Sequence, residues 1–66
     1  MARNSIERGI DCFKARLENS KKDVIEAVMN GNWWNAEIAL GECVSFVAVV
    51  KELEYQLEVM EVENDD

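Results

Sequence analysis

Two cysteines and fourteen carboxylates are the side chains of this 66-residue sequence that could take part in catalysis or bind a metal ion. The sequence contains no histidine, so it lacks the usual general base near neutral pH and the Ser-His and Cys-His pairs of nucleophilic catalysis. Cys12 and Cys43 lack the close spacing of zinc ligands, and the acidic residues do not follow the calcium-loop pattern. The three glycines are isolated, which excludes a glycine-rich phosphate loop. We therefore expect a non-enzymatic protein without a cofactor or a metal site.

Five basic side chains in the first third of the sequence could bind a small anion. Residues 1–22 carry six basic and three acidic side chains, whereas residues 23–66 carry one basic and eleven acidic side chains. The overall charge of −7 disfavours direct nucleic-acid binding, which leaves a nucleotide-like ligand held between subunits as the hypothesis for these residues. Pairing with the acidic second half is the simpler explanation. The candidate anion-binding strip consists of Arg8, Lys14, Arg16, Lys21 and Lys22.

Apolar residues recur every three or four positions, which is the spacing of one face of an α-helix. Residues 43–50 would also suit a buried strand, but strong helix formers flank them and the sequence offers no partner strand. The sequence thus predicts an all-α protein with two apolar stripes. The stripes are Ile6, Ile10, Phe13, Leu17, Ser20, Val24 and Ala27, and then Ala36, Ala39, Cys43, Phe46, Val50, Leu53, Leu57 and Met60.

Residues between the stripes predict a tight turn. Gly31 suits the left-handed position after a helix, and Asn32 suits the cap of the next helix. Asn4 and Glu7 have the spacing of a capping box. A second capping signal leaves open a break or kink in helix 1 near residues 19–20. We expect helix 1 over about residues 4–30, a turn at 30–32, helix 2 over about 32–62, and a frayed acidic tail at 63–66.

A turn this short makes the two helices antiparallel. The arrangement brings opposite charges together, because it places Arg3 and Arg8 beside the glutamates at the end of helix 2. It also places Lys21 and Lys22 beside Glu42. Each exposed pair contributes only about 0.2–1 kcal/mol, so the charges set orientation more than stability.

The cysteines and the hydropathy pattern favour a cytoplasmic protein. In the antiparallel hairpin, Cys12 and Cys43 are offset by about eight residues, or about 12 Å, beyond the ~7 Å limit for Cα atoms joined by a disulfide. Reduced thiols are typical of the cytoplasm. The N-terminal residues have no apolar stretch typical of a secretory signal, and the apolar residues 38–50 are too few to cross a bilayer.

Helix 2 carries more apolar surface than helix 1 can cover. Through residues 38–50 it is apolar on almost every side, and a lone hairpin would expose more than the few hundred Å² typical of monomers. We expect a homo-oligomer, with a dimer forming a four-helix bundle as the first choice and a larger ring as the second. A different protein covering the same surface is the alternative. The candidate oligomer-interface residues are Trp33, Leu40, Val44, Val47 and Val49.

In helix–turn–helix layout and length, the chain resembles the small helix-hairpin dimers that form four-helix bundles, among them a plasmid copy-number RNA-binding protein. No motif is shared, and the acidic balance argues against RNA binding. The resemblance implies that two hairpins assemble into a four-helix bundle, and it implies nothing about a ligand.

Adjacent tryptophans at the turn are the most unusual local feature. They point about 100° apart on a helix, so we expect one to face the core and the other to lie at an interface. The first functional hypothesis is a homo-oligomer that acts through protein–protein contacts. The second is a small accessory or phage-encoded antagonist whose acidic side chains cover a basic site on a host protein. The candidate partner-contact residues are Trp34, Tyr55, Glu54, Glu58 and Glu61.

Overall fold

The computed structural model describes residues 3–63, which form two α-helices and no strand. Helix α1 spans Arg3–Met29 and helix α2 spans Trp33–Glu63. The helices fold back on each other as a hairpin, since Arg3 at the start of α1 bonds to Glu61 near the end of α2. The all-α prediction is confirmed, and the strand considered for residues 43–50 is wrong.

The turn joins the helices through hydrogen bonds that serve both of them. Gly31 has a φ of 71°, in the left-handed region that glycine adopts without steric cost. The N–H of Gly31 donates to the carbonyl of Val28 at 3.1 Å and the N–H of Asn32 donates to that of Ala27 at 2.8 Å, the pattern of a Schellman motif. Oδ1 of Asn32 then accepts a hydrogen bond from the N–H of Asn35 at 3.2 Å and caps α2. The roles predicted for Gly31 and Asn32 are therefore confirmed.

Helix α1 differs from the sequence-based expectation at its start and near its middle. It begins at Arg3, so Asn4 lies inside the helix, and Glu7 accepts a hydrogen bond from Nε of Arg3 at 2.9 Å. The helix also passes through Asn19 and Ser20 without a break. Ser20 is only 5% exposed, because it lies between the two helices, and this burial outweighs its preference for a cap.

The core is a single seam along the facing sides of the helices. All residues of the two predicted stripes are buried or half-buried. Ile6, Ile10 and Val50 form the most buried cluster. The helices approach closely at Gly9, where an added Cβ would lie 3.3 Å from Cδ1 of Leu53. Within the described residues no side chain reaches complete burial, so two helices alone make a thin core.

The hairpin is a rod with extents of 54 × 14 × 14 Å and a Cα radius of gyration of 15.4 Å. A compact globule of this length has a radius of gyration of about 11 Å. Of the predicted acidic tail, Glu63 belongs to α2, and residues 64–66 lie outside the described residues. The rod shape leaves the outer sides of both helices accessible along their whole length.

Candidate protein–protein interface

One line of residues on α2 lies along the border with α1. Residues seven apart return to nearly the same side of a helix. Nη2 of Arg3 lies 2.9 Å from Oε1 of Glu61, and Nζ of Lys14 lies 3.7 Å from Oε2 of Glu54. These two ion pairs fix which edge of α2 lies beside which edge of α1. The line consists of Trp33, Leu40, Val47, Glu54 and Glu61.

The half of this line nearer the turn is apolar and exposed. Trp33 is 68% exposed, Leu40 is 55% exposed and Val47 is 41% exposed. Val44, one turn beyond Leu40, is 64% exposed. Ala39 and Cys43 immediately precede Leu40 and Val44 and take the seam positions, which turns the larger side chains outward. Clustered exposure of large apolar side chains is typical of a surface that binds another molecule.

The exposed residues continue along α2 as a stripe. Successive members are three or four residues apart, so they lie on one side of the helix, and every member is exposed. Glu37 and Lys51 place opposite charges on the two sides of the apolar centre. We define the α2 stripe as Trp33, Glu37, Leu40, Val44, Val47, Lys51 and Tyr55.

The sequence-based interface set shares four residues with the α2 stripe, and Val49 is the exception. Val49 follows Val47 by two positions, about 200° around the helix, and it is half-buried. Ile38 also lies away from the stripe and lines an open polar groove with Asp23, Glu26 and Glu42. Despite these carboxylates, the described residues contain no group of three or more side chains placed to hold a metal ion.

Both tryptophans at the turn are exposed, so the expectation that one of them faces the core is wrong. Trp33 is 68% exposed and Trp34 is 74% exposed. The seam beside the turn is occupied by Ala27 and Ala39, which are buried. These small side chains take the seam positions beside the turn, and both indoles lie outside the seam.

The three acidic partner-contact candidates differ in whether a basic side chain lies beside them within the hairpin. Glu54 and Glu61 form the ion pairs with Lys14 and Arg3, and their side chains remain about half exposed. Glu58 is exposed. Two of the three glutamates thus already have a cation beside them within the hairpin.

The candidate anion-binding residues do not form one strip, because they lie on different edges of α1. Lys14 and Lys21 are seven residues apart and share the edge that borders α2. Arg16 is two residues beyond Lys14, about 200° around the helix. Arg8 and Lys22 are fourteen residues apart and share a third edge, on the outside of the hairpin.

Lys21 is paired within its own helix instead of with Glu42. Its Nζ lies 2.8 Å from Oε1 of Glu18, one turn earlier. The hydrogen bond and the positive charge of Lys21 lower the pKa of the Glu18 carboxyl, and the charge of Lys22 adds a smaller effect in the same direction. Lys21 therefore already has a carboxylate partner within its own helix.

Glu37 and Lys51 were not among the sequence-predicted site residues, although the sequence contained a signal for them. Lys51 is the only basic residue after position 22, and it continues the three-four spacing of Leu40, Val44 and Val47. Glu37 occupies the matching position on the other side of that apolar centre. Only the exposures in the structure separate this stripe from the other apolar side chains of residues 38–50.

Cys12 and Cys43 are free thiols, the first exposed and the second buried in the seam. Among the described residues, no helix is both long enough and apolar enough to span a membrane. Comparisons with protein-family models, curated proteins and solved structures each found no match for this chain.

Proposed function

We propose that this protein is a non-enzymatic helical-hairpin module that self-associates through the α2 stripe and acts through protein–protein contacts in the cytoplasm. The observation that carries the proposal is the exposure of Trp33, Leu40, Val44 and Val47 on one side of one helix. Burying a side chain of this size contributes about 1.5–3 kcal/mol, so covering all four provides a substantial driving force.

The accessible surface supports an interface of ordinary size. The hairpin exposes 5153 Å², whereas a folded monomer of 7.6 kDa exposes about 4,300 Å². The difference is close to the ~800 Å² that each partner buries in a standard protein–protein interface. One such contact per subunit would reduce the exposed surface of each hairpin to about that of a folded monomer of its own mass.

A dimer of hairpins is the simplest assembly that supplies this contact. Two hairpins contribute four helices, and a four-helix bundle buries apolar faces that a two-helix hairpin must leave open. A twofold dimer uses the same patch on both subunits, so it needs no second surface. The free thiols of Cys12 and Cys43 agree with a reducing compartment.

The alternatives draw less support from the described residues. An acidic antagonist would use the glutamates of α2, but Glu54 and Glu61 are paired within the hairpin. A shared anion site would need the basic side chains of α1 together, and they lie on separate edges. Self-association uses a surface with no competing internal partner for its apolar side chains.

The test is the solution mass at micromolar concentration, measured by sedimentation equilibrium. Leu40→Glu and Val47→Glu should shift the wild-type oligomer towards monomer, because each places a carboxylate in the apolar contact. Ile38→Glu is the matched control, since Ile38 is 53% exposed on another side of the same helix. It should leave the mass unchanged, and circular dichroism checks that all variants remain helical. A monomeric wild type would contradict the proposal.

A further inference from the structure

We infer that the partner of the α2 stripe is the α2 stripe of a second copy, running antiparallel, with Val44 at the twofold axis and Glu37 of each subunit opposite Lys51 of the other. The inference rests on the proposed self-association and adds the direction, register and charge contacts of the interface.

The spacing of the stripe is symmetric about Val44 to within one residue. Leu40 and Val47 lie four and three residues away, so in an antiparallel pair Leu40 of one subunit faces Val47 of the other. Glu37 and Lys51 each lie seven residues from Val44. Trp33 and Tyr55, 68% and 62% exposed, each lie eleven residues away. One register therefore matches apolar with apolar, acid with base and aromatic with aromatic.

The charges at the two ends of the apolar centre are available for this contact. Among the described residues, the ion pairs of the hairpin use neither Glu37 nor Lys51. Lys51 is also the only basic residue in the otherwise acidic second half of the chain. A cation at this point of the stripe complements the acid at the matching position of an antiparallel mate.

Other arrangements of the same two faces create unfavourable contacts. A parallel pair would place Glu37 against Glu37 and Lys51 against Lys51, and facing like charges destabilise an interface. An antiparallel pair displaced by seven residues, about 10 Å along the axis, would place Glu37 or Lys51 against Val44. Either displacement buries a charged side chain among apolar side chains, where it has no oppositely charged partner.

Charge reversal tests the register. Glu37→Lys alone and Lys51→Glu alone should each weaken dimerisation by on the order of tenfold at low salt, because two attractive pairs become repulsive. The double variant Glu37→Lys/Lys51→Glu should recover dimerisation. An equimolar mixture of the two single variants, one of them uniformly labelled with heavy nitrogen, should form heterodimers, which native mass spectrometry then distinguishes by mass. Single variants that dimerise as well as wild type would overturn the register.

Disulfide trapping tests the direction independently. In a Cys12→Ala/Cys43→Ala background, Leu40→Cys chains mixed with Val47→Cys chains should cross-link under mild oxidation. Either chain alone should not, because its two thiols would lie about 10 Å apart along the axis, too far for a disulfide. Cross-linking of Leu40→Cys alone, or none in the mixture, would contradict the antiparallel register.

Different results would contradict the proposed self-association and the proposed register. A wild-type monomer at micromolar concentration would remove both. A wild-type dimer that Leu40→Glu dissociates, combined with no response to either charge reversal, would retain self-association and overturn only the register.

Discussion

Arg3 and Glu61 join the first residue of α1 to the last part of α2, with 2.9 Å between Nη2 and Oε1. The two residues are 58 positions apart in sequence, and their side chains are 58% and 50% exposed. The pair therefore reports that the hairpin is closed along its whole length, although its exposure limits its energy.

Removing this ion pair should have a small, salt-dependent effect. Glu61→Gln is expected to lower the free energy of unfolding by about 0.2–1 kcal/mol, and the loss should shrink at about 0.5 M salt. Urea unfolding at a fixed protein concentration measures the change. Glu58→Gln, which changes the charge equally at an exposed position of the same helix, is the control. An equal loss in Glu58→Gln would show that net charge, and not the pair, is responsible.

The turn glycine and the helix glycine should respond in opposite directions to alanine. Gly31→Ala is expected to cost about 1–2 kcal/mol, because a Cβ is strained at a φ of 71°. Gly41→Ala should instead stabilise by about 0.5–1 kcal/mol, since Gly41 is inside α2 and a Cβ there would meet nothing within 4 Å. Thermal unfolding of both variants gives the comparison. Stabilisation by Gly31→Ala would contradict the left-handed assignment.

The seam should dominate stability. Ile6→Ala is expected to destabilise by about 2–3 kcal/mol, near the low end for a buried isoleucine because the core is thin. Ile6 is 3% exposed, whereas Ile25 is 59% exposed, so Ile25→Ala should change the free energy of unfolding by less than about 0.5 kcal/mol. Chemical denaturation of the two variants at equal concentration measures the difference. Equal losses would place the hydrophobic centre elsewhere.

Glu18 should titrate below the ordinary range of a glutamate. The hydrogen bond and charge of Lys21 lower its pKa, so its contribution to stability is present above the ordinary glutamate pKa and is lost as the pH falls through the lowered value. Carboxyl-carbon NMR titration measures the pKa directly. Lys21→Gln should return it towards the ordinary value, whereas Lys22→Gln should change it much less. A pKa unmoved by Lys21→Gln would contradict the pairing.

Much of the fold followed from periodicity and local turn chemistry. The three-four spacing predicts every buried residue of the seam, and Gly31 and Asn32 predict the turn, because both signals depend on short-range backbone geometry. The exposed tryptophans could not be predicted in this way. Their position depends on which side chains occupy the seam beside the turn, and the buried positions there belong to Ala27 and Ala39, which is a property of the packed pair.

The sequence predicts only part of the candidate interface. The sequence marks Leu40, Val44 and Val47 as surplus apolar residues, but it groups Val49 with them because residues 38–50 are apolar on nearly every side of the helix. The burial pattern separates Val49, which is half-buried, from Leu40, Val44 and Val47, which are exposed. Likewise, the basic residues of α1 are close in sequence, and only their angular positions on the helix divide them.

The shared hydrogen bonds of the turn have a consequence for the order of folding. Because Asn32 closes α1 and starts α2, the first contacts between the helices need almost no loop closure. We expect the contacts of the seam to form in order, first at Ala27 and Ala39 and last at Arg3 and Glu61. Substitutions at the turn should then slow folding, whereas substitutions at the open end should mainly accelerate unfolding.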